Sequence, residues 1–260
     1  MNNIRIDNLI HTISSLSWPY LLLIVIVLSI SLFIYRKIDK RYRELFWDRI
    51  FPALFFLALA IKVILKTIER GGRKKTFLLY LDLINSTLAL LFMLMTVLAY
   101  IIRSKAIQRA QGFWERLFPL LVVGCHLTGT YFLVQYTKFN YVPQVYITGL
   151  IISILGVVID VIAMWQIRKS FSIMVEVREL VTSGIYRYIR HPLYFGEIIH
   201  VGGIALLFNN MWAYAFFFLV CIVQTARAIL EEKKLMLNNN NYTTYKKKAG
   251  FFLPIVRRKG

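Results

Sequence analysis

Residues 180–197 read LVTSGIYRYIRHPLYFGE, a polar stretch punctuated by Gly and Pro between two long apolar runs. Thr182, Arg187, Arg190, His191 and Glu197 stand there at the mouth of a hydrophobic helix, where ionisable groups are costly and mark functional sites by default. A second polar cluster, Arg227-Ala-Ile-Leu-Glu231-Glu232, closes the next apolar run. Arg227 and Glu231 are four residues apart and share a helix face. A guanidinium grips a carboxylate or phosphate bidentately, and the adjacent acids Glu231 and Glu232 suit a cationic ligand or ribose hydroxyls. Pro192 fits the first turn of a helix. That puts His191 at the N-cap, beside free backbone donors that favour an anionic group. Upstream, Gly184 permits a tight turn, and the hydroxyls of Thr182 and Ser183 can cap a helix. No Ser–His–Asp set, phosphate-binding Gly-rich loop or zinc spacing accompanies these residues. With no well-placed general base in view, an acceptor that is already ionised, a carboxylate or thiolate, is favoured over an amine.

The elements that must position these groups are membrane helices. The chain has 260 residues, 58% of them hydrophobic, and its mean hydropathy is +0.60. A soluble domain of this size needs more polar surface, and the apolar residues fall in continuous blocks of spanning length. Continuous blocks, without short alternating segments, exclude a β-barrel. The expected fold is all-α: a polytopic helical integral membrane protein with about seven spans, near 18–35, 50–65, 77–102, 113–136, 145–165, 194–208 and 211–230. Only Asn209-Asn210 joins the last two spans, so they form a tight antiparallel hairpin. That hairpin returns Arg190-His191 and the 227–232 cluster to one membrane face, where two motifs forty residues apart can make one site. Lys62 falls within the second span, near enough to its end to snorkel.

The net charge is +19. Without a basic–aromatic stripe or nucleic-acid motif, it reads as positive-inside topology and attraction to anionic lipids, and no nucleic-acid partner is expected. Loops assigned to one face carry 24 Lys and Arg, against seven on the other. This places the C-terminus and both polar motifs in the cytoplasm; the basic 66–75 loop is an exception. Cys125 and Cys221 lie within apolar runs and read as packing residues, with no disulfide framework. The first apolar run is long enough to span and no small-residue cleavage site follows it, so no cleavable signal is expected.

Over roughly 167–254 the chain resembles the isoprenylcysteine carboxyl methyltransferase family, within the wider group that includes the phospholipid methyltransferases. The residues that carry the likeness are Leu180-Val181-Thr182-Ser183-Gly184-Ile185-Tyr186, Arg190-His191-Pro192-Leu193-Tyr194, Gly196, Arg227-x-x-x-Glu231-Glu232, Tyr242, Tyr245 and Leu253-Pro254, with Ser170-Phe171-Ser172 upstream. The resemblance implies an S-adenosylmethionine-dependent methyltransferase. Its cofactor pocket would be lined by Glu179, Leu180, Val181 and Tyr186, with His191, Pro192, Leu193 and Tyr194 as the other wall and Glu231 and Glu232 in contact. Arg227 would face the carboxylate of a lipophilic or prenylated acceptor entering from the membrane. Glu179 stands where the eukaryotic enzymes often carry Thr. On this reading 145–260 is the methyltransferase core, and 1–144 adds helices of unknown role. A bacterial source would put the protein in the plasma (inner) membrane, with its active site cytoplasmic. NADPH-dependent sterol or enone reductases of membranes share Tyr186-Arg187-Tyr188 and Arg190-His191-Pro192-x-Tyr194-x-Gly196-Glu197. They usually have Asn at the place of Leu193, and they lack the acid pair. An inactive scaffold or transporter built on the same hairpin is the non-enzyme alternative.

Overall fold

The structure is a computed structural model, and it describes residues 46–71, 76–138, 140–238 and 240–255. After a short π-helical turn (Phe46–Ile50) come α1 (Phe51–Gly71), α2 (Phe77–Ile102), α3 (Gly112–Tyr136) and α4 (Pro143–Ile167). A 3-10 turn (Gly184–Arg187) precedes α5 (Pro192–Phe208), α6 (Met211–Asn238) and the short α7 (Asn240–Lys246). Among the described residues there is no strand, only the isolated bridges Gln108–Val177 and Ile189–Gly250. The fold class is the all-α one expected. The expected span at 18–35 lies outside the described residues.

Among the described residues four helical stretches are long and apolar enough to cross a membrane: Asp48–Ile68, Phe77–Ile102, Pro143–Ile167 and Met211–Asn238. Two expected spans differ from these. The helix expected at 113–136 forms as α3 but is not among the four. α5 is apolar but has only 17 residues, about 25 Å of rise, short of a ~30 Å hydrocarbon core.

The α5–α6 hairpin forms as its two-residue loop requires. Asn209 takes the left-handed conformation (φ 47°) that ends α5, one that Asn tolerates better than most residues. Asn210 starts α6 by accepting the Ala213 N–H on its side-chain oxygen. α4 and α5 pack backbone to backbone. A Cβ placed on Gly156 would meet the His200 backbone nitrogen, and one on Gly203 that of Ser153. Small residues at such crossings are how membrane helices gain close van der Waals contact. A second apolar cluster joins α3, α5 and α6 through Leu133, Val201, Ala205, Phe216 and Val220. A third joins Phe56 and Leu59 of α1, Tyr100 after them in α2, and Ile173 of the 168–191 segment.

That irregular segment is fastened by buried charge. Glu176 Oε2 accepts from Arg103 Nη2 at 2.6 Å and from Arg178 Nη2 at 2.7 Å, and Asp48 lies 3.2 Å from Arg103. Burial pushes the Glu176 carboxyl up, but its bonds and proximity to Arg178 and Arg103 outweigh that and hold it below the usual carboxylate range. Buried Lys234 of α6 donates to Glu115 Oε2 at 2.5 Å, to the Arg109 carbonyl at 2.7 Å and to the Val175 carbonyl at 3.1 Å. The segment from Ile173 to Arg178 is thereby held against α3 and α6.

Candidate active site

The start of α5 follows from its sequence. Pro192 occupies the first turn and His191 the N-cap. Ahead of it, Gly184 adopts φ +59°, where a Cβ would also collide with the Gln166 side chain. Gln166 Oε1 accepts the Ile185 N–H at 2.8 Å, tying the 3-10 turn to the end of α4. The C-terminal segment then crosses beneath: Arg190 N donates to Gly250 O at 2.8 Å and His191 N to Phe251 O at 3.2 Å. The Phe251 ring sits 4.9 Å from that of His191.

Glu232 is the knot of this junction. Its Oε1 accepts from Arg190 Nε at 2.6 Å and lies 3.2 Å from His191 Nε2, while Oε2 lies 2.7 Å from Lys246 Nζ. The sequence places Glu232 in contact with the cofactor; the structure places it at this junction instead of in the cavity wall. Its oxygens are committed to three basic partners, and it is absent from the cavity wall. Pro192 is likewise buried in the helix start and off that wall.

The remaining expected pocket residues do come together. Glu179, Leu180, Val181, Tyr186, His191, Leu193, Tyr194 and Glu231 line one cavity of about 810 Å³, its mouth included. Glu179 is exposed at the rim. Leu180 packs on the buried pair Tyr242 and Tyr245. The Tyr186 hydroxyl is buried without a hydrogen-bond partner; burial, then the nearby Glu231 charge, push its ionisation well above the usual tyrosine range, so it is a neutral donor.

Arg227 is not in that cavity. It lines a second one of about 970 Å³, whose walls are mostly apolar side chains of α1, α2 and α3. The N-terminal helices, for which the sequence offered no role, thus build this chamber. Phe171, Leu193 and Tyr194 line both cavities and form the partition between them. Tyr194 lies parallel to His191 at 5.7 Å and donates its hydroxyl to Glu231. On the other side, the Arg227 guanidinium lies 4.9 Å from the Tyr194 ring centre, a cation–π distance. Its Nη2 donates to the Ile173 carbonyl at 2.7 Å. Arg227 and Glu231, one turn apart on α6, therefore engage the ring and the hydroxyl of Tyr194 and line different cavities.

The chamber also holds groups to which the sequence reading gave no role at the site. Asp160 of α4, Glu197 and His200 of α5, His126 of α3 and Gln224 of α6 all line it. The expectation that no base stands near the site is corrected by Glu197, whose carboxylate accepts from Gln224 Nε2. A signal for these residues existed: Asp160 interrupts an otherwise apolar run, and Glu197 follows Tyr194 by three residues, hence on the same helix face.

The donor set of the first cavity fits S-adenosylmethionine. A carboxylate (Glu231) is held beside a neutral, unpartnered hydroxyl (Tyr186), with aromatic faces on both sides and apolar Leu180 and Val181 opposite. Such groups suit ribose hydroxyls, an adenine face and a positive sulfur. Among the described residues no group of His, Cys, Asp and Glu could hold a metal ion.

Among curated proteins none matches the chain. Among solved structures, the chain is similar to the eukaryotic intramembrane Ras methyltransferase ICMT (isoprenylcysteine carboxyl methyltransferase). The identity is 18% over 97% of this chain and 91% of that one, with a TM-score of 0.44. The part of the chain that carries the hairpin and both polar motifs, residues 145–243, matches the phospholipid methyltransferase family.

Proposed function

We propose that the chain transfers a methyl group from S-adenosylmethionine to a lipophilic acceptor. The observation that carries this reading is the partition: a polar cavity lined by Glu231 and an apolar chamber lined by Arg227 meet at Tyr194, whose hydroxyl bonds Glu231 and whose ring faces Arg227. Two separate reactants, one water-soluble and one lipid-like, need such a pair of rooms. Glu231, Tyr186 and the walls from Glu179 to Val181 and from His191 to Tyr194 hold the donor, which supplies an electrophilic methyl on a positive sulfur. Tyr194 and Arg227 align the acceptor, and the apolar walls exclude water. The family match over 145–243 supports the reaction type. Residues 145–260 form the methyltransferase core, and α1–α3 complete the acceptor room.

Two classes of nucleophile compete at the partition. Arg227 favours a carboxylate, the class expected from the sequence and the one an isoprenylcysteine-type acceptor presents. The acids beside Arg227 favour a nucleophile that carries its own proton. The bias of Lys and Arg toward one set of loops puts the donor cavity on the cytoplasmic face, with basic segments resting on anionic lipids.

The test is thermal protection of the purified chain in detergent. S-adenosylhomocysteine raises the unfolding temperature, NADPH does not, and labelled methyl from the donor appears in the lipid fraction. Protection by NADPH alone would replace this reading with the reductase one.

A further inference from the structure

We propose that Glu197 is the proton acceptor of the transfer step, and that the lipophilic acceptor enters with a proton on its nucleophilic atom, as an ammonium, thiol or hydroxyl, and not as a carboxylate. The inference rests on the methyl-transfer reading above and names the acceptor class for the same site.

The polar end of the apolar chamber carries two acids, Asp160 and Glu197, beside one guanidinium, Arg227. Glu197 stands one helical turn after Tyr194 and shares its face of α5. Gln224 Nε2 donates to Glu197 and fixes its carboxylate, while one turn further along α6 Arg227 stacks on Tyr194. Asp160 reaches the same place because its helix meets α5 at Gly196, where a Cβ would strike Asp160 Oδ1.

What these groups lack identifies the ligand. Asp160 is 4% exposed and Gln224 2%, yet Asp160 Oδ1 and Gln224 Oε1 have no hydrogen-bond partner. Both are acceptors, and Arg227 Nε of the same chamber is a buried donor that also has no partner; buried polar atoms are normally paired. A molecule that brings an N–H, O–H or S–H hydrogen and, once that proton is given up, a lone pair on the same atom meets both needs. A carboxylate meets Arg227 alone and leaves the two acceptors bare. Arg227 is also partly committed, to the Ile173 carbonyl and to the Tyr194 ring.

The step balances as follows. Glu197 takes the proton from the X–H bond of the acceptor, and the electron pair left on X forms the new X–CH3 bond. The pair of the broken S–CH3 bond stays on the sulfur of the sulfonium donor, which leaves as a neutral thioether. Asp160 and Gln224 hold the remaining hydrogens or orient X. Removing a general base of this kind costs roughly 10²–10⁴-fold in rate.

The test uses the full chain in detergent with three water-soluble probes, octylamine, octanethiol and octanoate, at equal concentration. Without donor, octylamine or octanethiol raises the unfolding temperature and octanoate does not, and Glu197→Gln abolishes the shift. With labelled donor, the stabilising probe is methylated, and Glu197→Gln lowers its kcat by about 100-fold or more with S-adenosylhomocysteine affinity unchanged. Glu197→Asp, which keeps a carboxylate, retains binding and part of the rate, and it serves where the Gln variant fails to fold. Stabilisation by octanoate that survives Glu197→Gln, or no stabilisation by any probe, overturns the inference. Failure of S-adenosylhomocysteine to protect the unaltered chain would instead overturn the methyl-transfer reading, whatever the three probes do.

Discussion

Glu231 and Glu232 are adjacent acids on one helix, and the structure gives them opposite duties that substitution can separate. Glu232 is 4% exposed and holds Arg190, His191 and Lys246 from two different parts of the chain. Removing one partner of a buried ion pair costs about 3–5 kcal/mol, because the other charge is left unpaired. Glu232→Ala is therefore expected to lower the unfolding temperature by roughly 6–20 °C for a domain of this size, and to loosen the 246–251 segment from the start of α5. Glu231 accepts one hydrogen bond, from Tyr194, and otherwise faces the donor cavity. Glu231→Gln is expected to shift the unfolding temperature little. It should weaken S-adenosylhomocysteine by about 10–100-fold, the loss of one or two charge-assisted bonds at about 1.4 kcal/mol per tenfold. Differential scanning fluorimetry and calorimetric titration on the same samples read both quantities. A Glu232→Ala protein of normal stability that no longer binds would refute this division of labour. So would a Glu231→Gln protein that unfolds early but, when cold, binds normally.

Other outcomes follow from the same contacts. Gly156→Ala and Gly203→Ala should each destabilise by about 1–3 kcal/mol through overpacking at the α4–α5 crossing. Gly124→Ala, where a Cβ meets nothing within 4 Å, should be neutral or slightly stabilising; thermal unfolding of the three variants checks this. Glu176 titrates below its unfolded value, so its contribution to stability is present above about pH 4.3 and is lost as pH falls through the depressed folded value. The stability gap between the parent and Glu176→Gln should thus be constant near neutrality and close only under strong acid, as a pH series of unfolding temperatures would show. Arg227→Lys keeps the charge but cannot both stack flat on Tyr194 and reach the Ile173 carbonyl. Turnover is expected to fall about 10–100-fold with donor affinity intact, read by steady-state kinetics beside a binding titration.

Much of the helical framework was legible because spanning helices need long apolar runs, and the two-residue Asn209-Asn210 joint left α5 and α6 no choice but a hairpin. The donor cavity was legible through Gly184, His191-Pro192 and Glu231, whose types constrain backbone and charge locally. The partners of Glu232 were hidden for a physical reason: sequence places it beside Glu231, but a helix turns about 100° per residue, and Arg190 and Lys246 come from segments whose approach only the fold reveals. The acceptor chamber was hidden for the same reason. Its walls come from α1, α2 and α3, which bear no motif, and Asp160 reaches Glu197 only because Gly156, Gly196 and Gly203 let two helices touch.

The most direct test of the two-room site is to locate the donor by photolabelling. Tritiated S-adenosylmethionine is irradiated on the purified chain, and the labelled peptides are mapped with and without excess S-adenosylhomocysteine. The expected result is competed label on peptides containing Leu180 to Tyr194 or Glu231 to Tyr245. Competed label on α1, α2 or α3, or label that the competitor does not displace, would contradict it.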